Sequence, residues 1–354
     1  MSRRLIAYVH GSLNPAARFR IGQYIPVLAQ AGWQVSLRPQ RPERPWEIDW
    51  GHPLLNAPAR RIGTWVRRTN RCRDIDDATG FDCVFQNRDL LEGSIEYEDR
   101  LLRRNPRVIF DFDDAIYLGA KAEHVGMACA RAAWVVAGNE ELASFARRHT
   151  SRVTVIPTVV DHVLYPPPPP LPTRRDGAVR VGWLGSRLSI EQTLHPFVPM
   201  LAELQAALGF EFVVVTAPRP VLPARGLRWR WVEWTPDQET RIAQHFDVGI
   251  MPLVDSPYQR GKCGCKLIQY MAAGLPAVAS PVGVNTSLLG AGTRGFAAST
   301  RDEWMEAIAT LMRDAPLGRA MGLRGRSFVR DHYSVQRWHP TLIDVIERAS
   351  PQSR

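Results

Sequence analysis

The chain has 354 residues, 45% hydrophobic and 23% charged, enough for two domains with separate cores and outside the range of disordered chains. No apolar run reaches the ~20 residues of a membrane-spanning helix, and the opening MSRRLIAYVHG meets a Gly/Asn/Pro turn instead of a signal-peptide core, so a cytoplasmic protein is expected. The formal charge of +10 points to an anionic partner, phosphates or a membrane surface, but its arginines are dispersed (RRNPR, ARRHTSR, RWRW), which argues against nucleic acid.

Residues 4–10 read as a short buried strand, followed by a turn over Gly11–Pro15. From Arg18 to Gly32 the residues Ile21, Tyr24, Ile25 and Leu28 fall on one helical face, with Gly32 closing the helix. WQVSLRP reads as the next strand, and DCVFQN, RVIFDFD and AAWVVAG as three more. An acidic-then-basic helix lies between Cys83 and Ile109, and a second helix runs from Glu140 to Arg148. Alternating strands and helices imply a parallel sheet covered on both faces.

Tyr165 opens a run of prolines ending at Thr173-Arg-Arg, which favours extended polyproline backbone and reads as a linker over 165–177. The pattern then restarts with VRVGWLG as a strand and a helix around 190–208. FEFVVVTA is a strand, Pro236–His245 a helix, DVGIMPL a strand and Asp255–Gly264 a basic loop. A helix from Cys265 to Ala273 ends at Gly274, PAVASPVG is a strand, and helices cover 302–314, 317–330 and 335–349. The expected division is residues 1–164, the linker 165–177, residues 178–334, and a C-terminal helix (335–354) returning to the first domain. The expected fold is α/β: two Rossmann-like, doubly wound parallel-sheet domains facing a cleft.

The densest chemistry lies in Gly261-Lys-Cys-Gly-Cys-Lys-Leu-Ile-Gln-Tyr-Met-Ala-Ala-Gly-Leu-Pro. A glycine loop opens a helix with Lys262 and Lys266 beside its start, where exposed amides and the positive helix end favour a phosphate. A capping loop with solvated lysines fits the local pattern equally well. Pro281-Val-Gly-Val-Asn285 follows as a loop on the same side. Cys72, Cys83, Cys129, Cys263 and Cys265 form no disulfide framework, and no second Cys/His pair completes a zinc site.

These residues, in this order, resemble GT-B fold glycosyltransferases of the group 1, or family four, type. The resemblance runs over almost the whole chain. Arg18-Phe-Arg-Ile-Gly-Gln-Tyr-Ile-Pro is similar to the family's first loop and helix, and Asp111-Phe-Asp-Asp-Ala-Ile-Tyr117 to a subgroup's acidic motif. Ala137-Gly-Asn-Glu-Glu-Leu142 and Val155-Ile-Pro-Thr-Val-Val-Asp161 resemble the elements closing the first domain. Val181-Gly-Trp-Leu-Gly-Ser186 resembles the phosphate-side loop of the second, and Phe246-Asp-Val-Gly-Ile-Met-Pro-Leu253 leads into the donor loop.

The resemblance implies a sugar-transferring enzyme that uses a nucleoside diphosphate sugar as co-substrate, with retention of configuration and neither cofactor nor metal. It places the donor against Gly185, Ser186, Arg187, Lys262, Lys266, Gln269, Val284 and Asn285. The family's two donor-loop glutamates correspond to Gly261 and Gln269, so Asp255 is the nearest replacement carboxylate. Ser186 stands where the family often has an arginine, which leaves Arg187 and the two lysines to grip the diphosphate.

Asp111, Asp113 and Asp114 bunch where a strand ends. Asp113 and Asp114 are read as contacting the acceptor hydroxyl or donor sugar, the alternative being caps for the next helix. Arg18 and Arg20 at the helix entry suit an anionic acceptor or the diphosphate, or simply exposed charge. Asn139 and Glu140 complete the candidate substrate contacts, Glu140 also favouring its helix N-terminus. His10 reads as structural, and Trp231, Trp234 and Trp304 as core or interface.

Two other classes stay open: a catalytically inactive sugar-nucleotide binder, given Gly261, and a GT-B sugar-nucleotide epimerase, which needs no acceptor. A dinucleotide-dependent oxidoreductase is disfavoured, since no G-x-G-x-x-G follows the first strand. The acceptor is a glycan, a lipid-linked molecule or a small molecule, and the positive charge suits peripheral contact at the inner face of a membrane.

Overall fold

The computed structural model describes residues 3–43, 53–91, 94–168, 178–223 and 225–350, with side chains from residue 56 in the second segment. The chain divides into two compact units, Met1–Thr158 with Trp338–Arg354, and Val159–Arg337.

The first unit contains β1 (Arg3–Val9), α1 (Pro15–Arg20), α2 (Ile25–Gln30), β2 (Trp33–Pro39), α3 (Pro53–Asp76), β3 (Cys83–Asn87), α4 (Glu96–Arg104), β4 (Val108–Phe112), α5 (Ala122–Arg131), β5 (Trp134–Ala137), α6 (Glu140–Arg147) and β6 (Val153–Val155). Its strands lie in the order β2-β1-β3-β4-β5-β6, all parallel, with Leu5 opposite Cys83 and Phe110 opposite Val135. β1, β3 and β4 are buried through their apolar stretches because helices cover both faces, which is why they read as continuous apolar runs.

The single helix expected from Arg18 to Gly32 is instead broken. Asn14 caps α1 by accepting from the amide of Ala16, so the helix begins at Pro15 and Arg18 and Arg20 sit in its last turn. Ile21 leaves helical geometry, a 3-10 turn follows over Gly22–Tyr24, and Pro26 restarts α2. The apolar face survives the break: Ile21, Tyr24 and Leu28 are buried.

The long helix α3 has no counterpart in the apolar pattern, because its inner side is lined largely by charge. Arg67 donates to Oε1 of Gln40 at 3.0 Å, and Arg71 to the carbonyls of Arg38 (3.1 Å) and Val9 (3.0 Å). Arg67, Arg71 and Asp74 are buried alongside Ala59 and Ile75. Burial pushes the Arg71 guanidinium down to about 10, against the opposing pull of Asp74.

The second unit runs β7 (Arg180–Leu184), α7 (Arg187–Ser189), α8 (Val198–Leu208), β8 (Glu211–Thr216), β9 (Trp229–Glu233), α9 (Pro236–Thr240), β10 (Val248–Met251), α10 (Pro257–Arg260), α11 (Cys265–Ala272), β11 (Ala277–Ala279), α12 (Asn285–Leu289), β12 (Gly295–Ala297), α13 (Arg301–Arg313) and α14 (Ala315–His332). Its sheet has the order β12-β11-β10-β7-β8-β9, again parallel. Trp183, Phe212, Val214 and Ile250 from the strands pack with Leu194, Leu201, Trp304 and Ile308 from the helices. Trp231 and Trp234 are half-buried, their indole N–H groups donating to the Thr216 carbonyl (2.9 Å) and to Glu239 (2.8 Å).

The helix α14 crosses α11 closely because Gly322 has no side chain: a Cβ there would lie 2.0 Å from the Gly274 carbonyl oxygen. Tyr165–Pro168 lie on this unit, with Arg326 donating to the Tyr165 carbonyl at 2.6 Å and Arg319 to that of Pro168 at 3.2 Å. The rest of the expected linker, 169–177, lies outside the described residues. A final helix, α15 (Val335–Ala349), is counted with the first unit from Trp338 onward, where Glu347 pairs with Arg3 at 3.2 Å.

Candidate functional site

In the second unit the strand order reverses at β7, which has β10 on one side and β8 on the other. Connections leaving β7 and β10 diverge there, so their C-terminal ends border the crevice where doubly wound sheets bind ligands. Ladder pairing between the two strands covers Val181 and Gly182 opposite Val248 and Gly249. Beyond it the buried hydroxyl of Tyr270 takes over, accepting from the Leu184 amide at 3.0 Å and donating to the Ile250 carbonyl at 3.1 Å. A side chain from α11 thus bridges the strand ends. Burial pushes its phenol well above the usual tyrosine range.

Several of the expected donor residues meet at this edge. After β7, Gly185 leads to Ser186, whose hydroxyl caps α7 by accepting from the Ser189 amide at 3.3 Å. After β10, Gly264 opens α11 in the left-handed conformation (φ 67°), without a side-chain cap. A Cβ at Gly185 would lie 2.9 Å from Cε of Lys266 and 2.4 Å from the Trp183 ring, so Lys266 lies against this loop. Its Nζ is 5.1 Å from the centroid of the Trp183 ring, and Nζ of Lys262 is 5.0 Å from that of Tyr258. Both lysines are half-buried against aromatic faces, not extended into solvent. A Cβ at Gly264 would lie 3.1 Å from the Val284 side chain, which brings the third loop to the start of α11.

Gln269 lies one turn into α11, only 4% exposed. Its Oε1 receives a weak bond from Sγ of Cys265 at 3.6 Å, while its Nε2 is buried without a partner among the described residues. A buried amide donor left unmatched is costly and fits a group completed by a ligand. Asn285 is differently employed: its side chain donates to the Ser280 carbonyl at 3.0 Å and holds the loop in place. Arg187 is exposed and 3.6 Å from Glu191.

Asp255, the expected replacement carboxylate, is engaged by a neighbouring arginine. It is exposed and forms a two-point pair with Arg260, at 2.6 and 2.8 Å, which holds its carboxyl below the usual range. Gly261 itself is buried at the end of α10.

In the first unit the order reverses between β1 and β3. Arg20, expected to reach a phosphate, is 4% exposed and committed elsewhere: its Nη2 lies 2.6 Å from Oδ1 of Asp111 and its Nη1 2.6 Å from the Ile156 carbonyl. Asn87 donates to the other Asp111 oxygen at 2.8 Å. Burial pushes the Asp111 carboxyl up, with Arg20 pulling the other way. Asp111 therefore serves the fold.

Asp113 and Asp114 stand beyond the end of β4, 13% and 17% exposed, and share one cation that the motif did not announce. Arg88, in the left-handed region at φ 60°, reaches Oδ1 of Asp113 at 2.6 Å and Oδ2 of Asp114 at 2.6 Å. Burial raises the Asp113 carboxyl, but Arg88 and then Arg20 outweigh it and hold it below its ordinary value. Position alone could have exposed Arg88: it is the residue after β3 at the reversal.

Beside it, Nε2 of His10 is 2.7 Å from the Asp89 carbonyl oxygen, which can only accept, so that nitrogen carries the proton. Lys121 lies 3.3 Å from Oδ2 of Asp89. Burial acts upward on the Asp89 carboxyl, and His10 and Lys121 hold it far below the usual range.

Arg18 stacks on Phe19 at 4.8 Å. Asn139 is the cap of α6, accepting from the Leu142 amide at 2.9 Å, and Glu140 is exposed and paired with Arg147 at 2.6 Å. Among the described residues, the five cysteines are free and no three His, Cys, Asp or Glu side chains group as metal ligands. Among the same residues no helix is long and apolar enough to cross a membrane.

Comparison with known proteins gives this arrangement a context. Residues 178–314 match the family model of the group 1 glycosyl transferases. No curated protein matches the chain. Among solved structures, a glycosyltransferase from Rickettsia africae superimposes with a TM-score of 0.71 at 11% identity, covering 99% of this chain and 100% of that one. HepE of Anabaena, in complex with UDP-glucose, gives 0.67 at 14% identity, covering 97% and 99%. Sucrose-phosphate synthase from Thermosynechococcus elongatus gives 0.66 at 16%, covering 98% of each chain. At these identities the likeness shows the fold, which is GT-B.

Proposed function

We propose that the chain is a glycosyltransferase whose second unit holds a nucleoside diphosphate sugar at the β7–β10 edge. One observation carries the reading: Lys266 and the glycine-opened start of α11 lie against the Gly185 loop at the strand-order reversal, inside the segment matching the group 1 transferases. A cationic side chain and a helix N-terminus on one side of a glycine turn suit a diphosphate. The unmatched Nε2 of Gln269 suits a ribose hydroxyl, which can accept its hydrogen bond. UDP-glucose is the first donor to test, because HepE of Anabaena was solved with it.

In this reading the bond from the anomeric carbon to the diphosphate breaks and a bond to an acceptor oxygen forms. The acceptor proton passes to the departing diphosphate, leaving glycoside and nucleoside diphosphate. Lys262 and Lys266 stabilise the leaving charge in place, which lowers the barrier without reorganisation, and this supports transfer without a metal. The likeness to group 1 transferases supports retention. Asp113 and Asp114, presented by the first unit with Arg88, are proposed to contact the acceptor or the donor sugar.

A second reading, an inactive sugar-nucleotide binder, draws on Gly261 and on the engagement of Asp255 by Arg260. Incubation with nucleoside diphosphate sugars, with and without magnesium and an acceptor mixture, separates the two. Glycoside or free sugar together with nucleoside diphosphate supports the transferase. Tight binding with no turnover of any donor supports the binder. No binding of any nucleoside diphosphate contradicts both.

A further inference from the structure

The helix α3 has two contrasting sides. Its inner side is fixed to the first unit: besides the buried Arg67 and Arg71, the Asp74 carbonyl accepts from the Tyr8 hydroxyl at 2.6 Å and its carboxylate pairs with Arg41 at 2.8 Å. On the opposite side, Arg61, Ile62, Trp65, Arg68 and Thr69 fall on one helical face by their spacing. Ile62 is 61% exposed and Trp65 66% exposed, and Arg61 and Arg68 beside them are exposed as well. Neither of these two arginines makes an ion pair among the described residues. The helix thus presents an indole and a branched aliphatic chain with a guanidinium on each side.

We infer that this face of α3 docks the protein on an anionic phospholipid surface. Tryptophan favours the headgroup boundary, where its ring is buried and its N–H stays hydrated. Arginines beside it meet lipid phosphates, and the chain's net charge of +10 adds attraction toward an acidic leaflet. Charge complementarity selects this occupant: a second copy of the chain would bring Arg61 and Arg68 against like charge. The helix lies along the surface and does not cross it. This inference does not depend on the donor reading, because none of these residues belongs to the second unit.

Flotation of the intact protein with vesicles of phosphatidylcholine, with and without phosphatidylglycerol, tests it. The chain is expected to float with the anionic vesicles only and to be released by salt. Each arginine is expected to contribute about fivefold, so R61E/R68E lowers the anionic-vesicle affinity by at least about tenfold, and W65S lowers it at unchanged charge. Thermal unfolding serves as the folding control, and the melting temperature is expected to stay unchanged in these variants. Equal binding to pure phosphatidylcholine, no binding to either vesicle, or wild-type flotation by both variants overturns the inference. So does a concentration-dependent dimer abolished by W65S, which would make a second copy the occupant.

Discussion

The ammonium of Lys266, in α11, lies 5.1 Å from the centre of the ring of Trp183, in β7. Gly185 makes this pairing possible, since any side chain there would collide with both. The charge is held over the end of β7 before any ligand arrives. Lys266→Ala is therefore expected to weaken nucleoside diphosphate binding by about 10- to 100-fold, the worth of a charge-assisted hydrogen bond, with little change in melting temperature. Calorimetric titration beside thermal unfolding checks both parts.

Gly185→Ala should act on stability and binding together. Its methyl group would meet the Trp183 ring at 2.4 Å, and overpacking of this kind costs about 1–3 kcal/mol. Chemical denaturation is expected to show that loss, and titration a weaker donor, because Lys266 must shift as well. Wild-type stability would mean that the loop is not packed as described.

Gln269→Met removes the unmatched buried amide while keeping the volume of the side chain. Since Nε2 has no partner among the described residues, stability is expected to hold or to rise by up to about 1 kcal/mol. Donor affinity is expected to fall at the same time. A variant that loses stability but keeps its affinity would assign Gln269 to the core.

Arg20→Ala strips Asp111 of its buried cation and is expected to destabilise the first unit by about 3–5 kcal/mol. Denaturant unfolding measures this directly. Retained donor binding in the surviving folded fraction would agree with a structural role.

Arg88→Ala should change how stability depends on pH. Asp113 is held below its ordinary value, so its ionised form contributes stability above the unfolded value, and that contribution is lost as pH falls through the folded one. The stability gap between wild type and variant should be widest near neutral pH and narrow as pH drops below about 4, the ordinary aspartate value. Arg88→Gly, which suits the left-handed backbone at φ 60°, is expected to be less destabilising than Arg88→Ala. A gap independent of pH would remove Asp113 from the account.

Much of this was legible where one physical cause dominated. Strands such as β1 and β8 are apolar because both faces are covered, and the loop proposed to hold the donor stands out through Gly264, Lys266 and Gln269. Periodicity failed where charge replaced apolar surface: α3 buries Arg67, Arg71 and Asp74 on the side that should have been hydrophobic. It failed again at β9, where arginine and glutamate share the strand with two tryptophans, and at β6 and β12, which are too short to show a period. The acidic motif revealed the carboxylates but not their division of labour. Asp111 is closed off by Arg20 and Asn87, while Asp113 and Asp114 share Arg88, whose place at the strand reversal is a matter of topology rather than motif.

The most direct test is a crystal structure of the protein with a bound nucleoside diphosphate. The diphosphate is expected at the start of α11, within hydrogen-bonding reach of Nζ of Lys266, with the ribose at Nε2 of Gln269. A diphosphate bound away from α11, with Lys266 still lying over Trp183, would contradict that expectation.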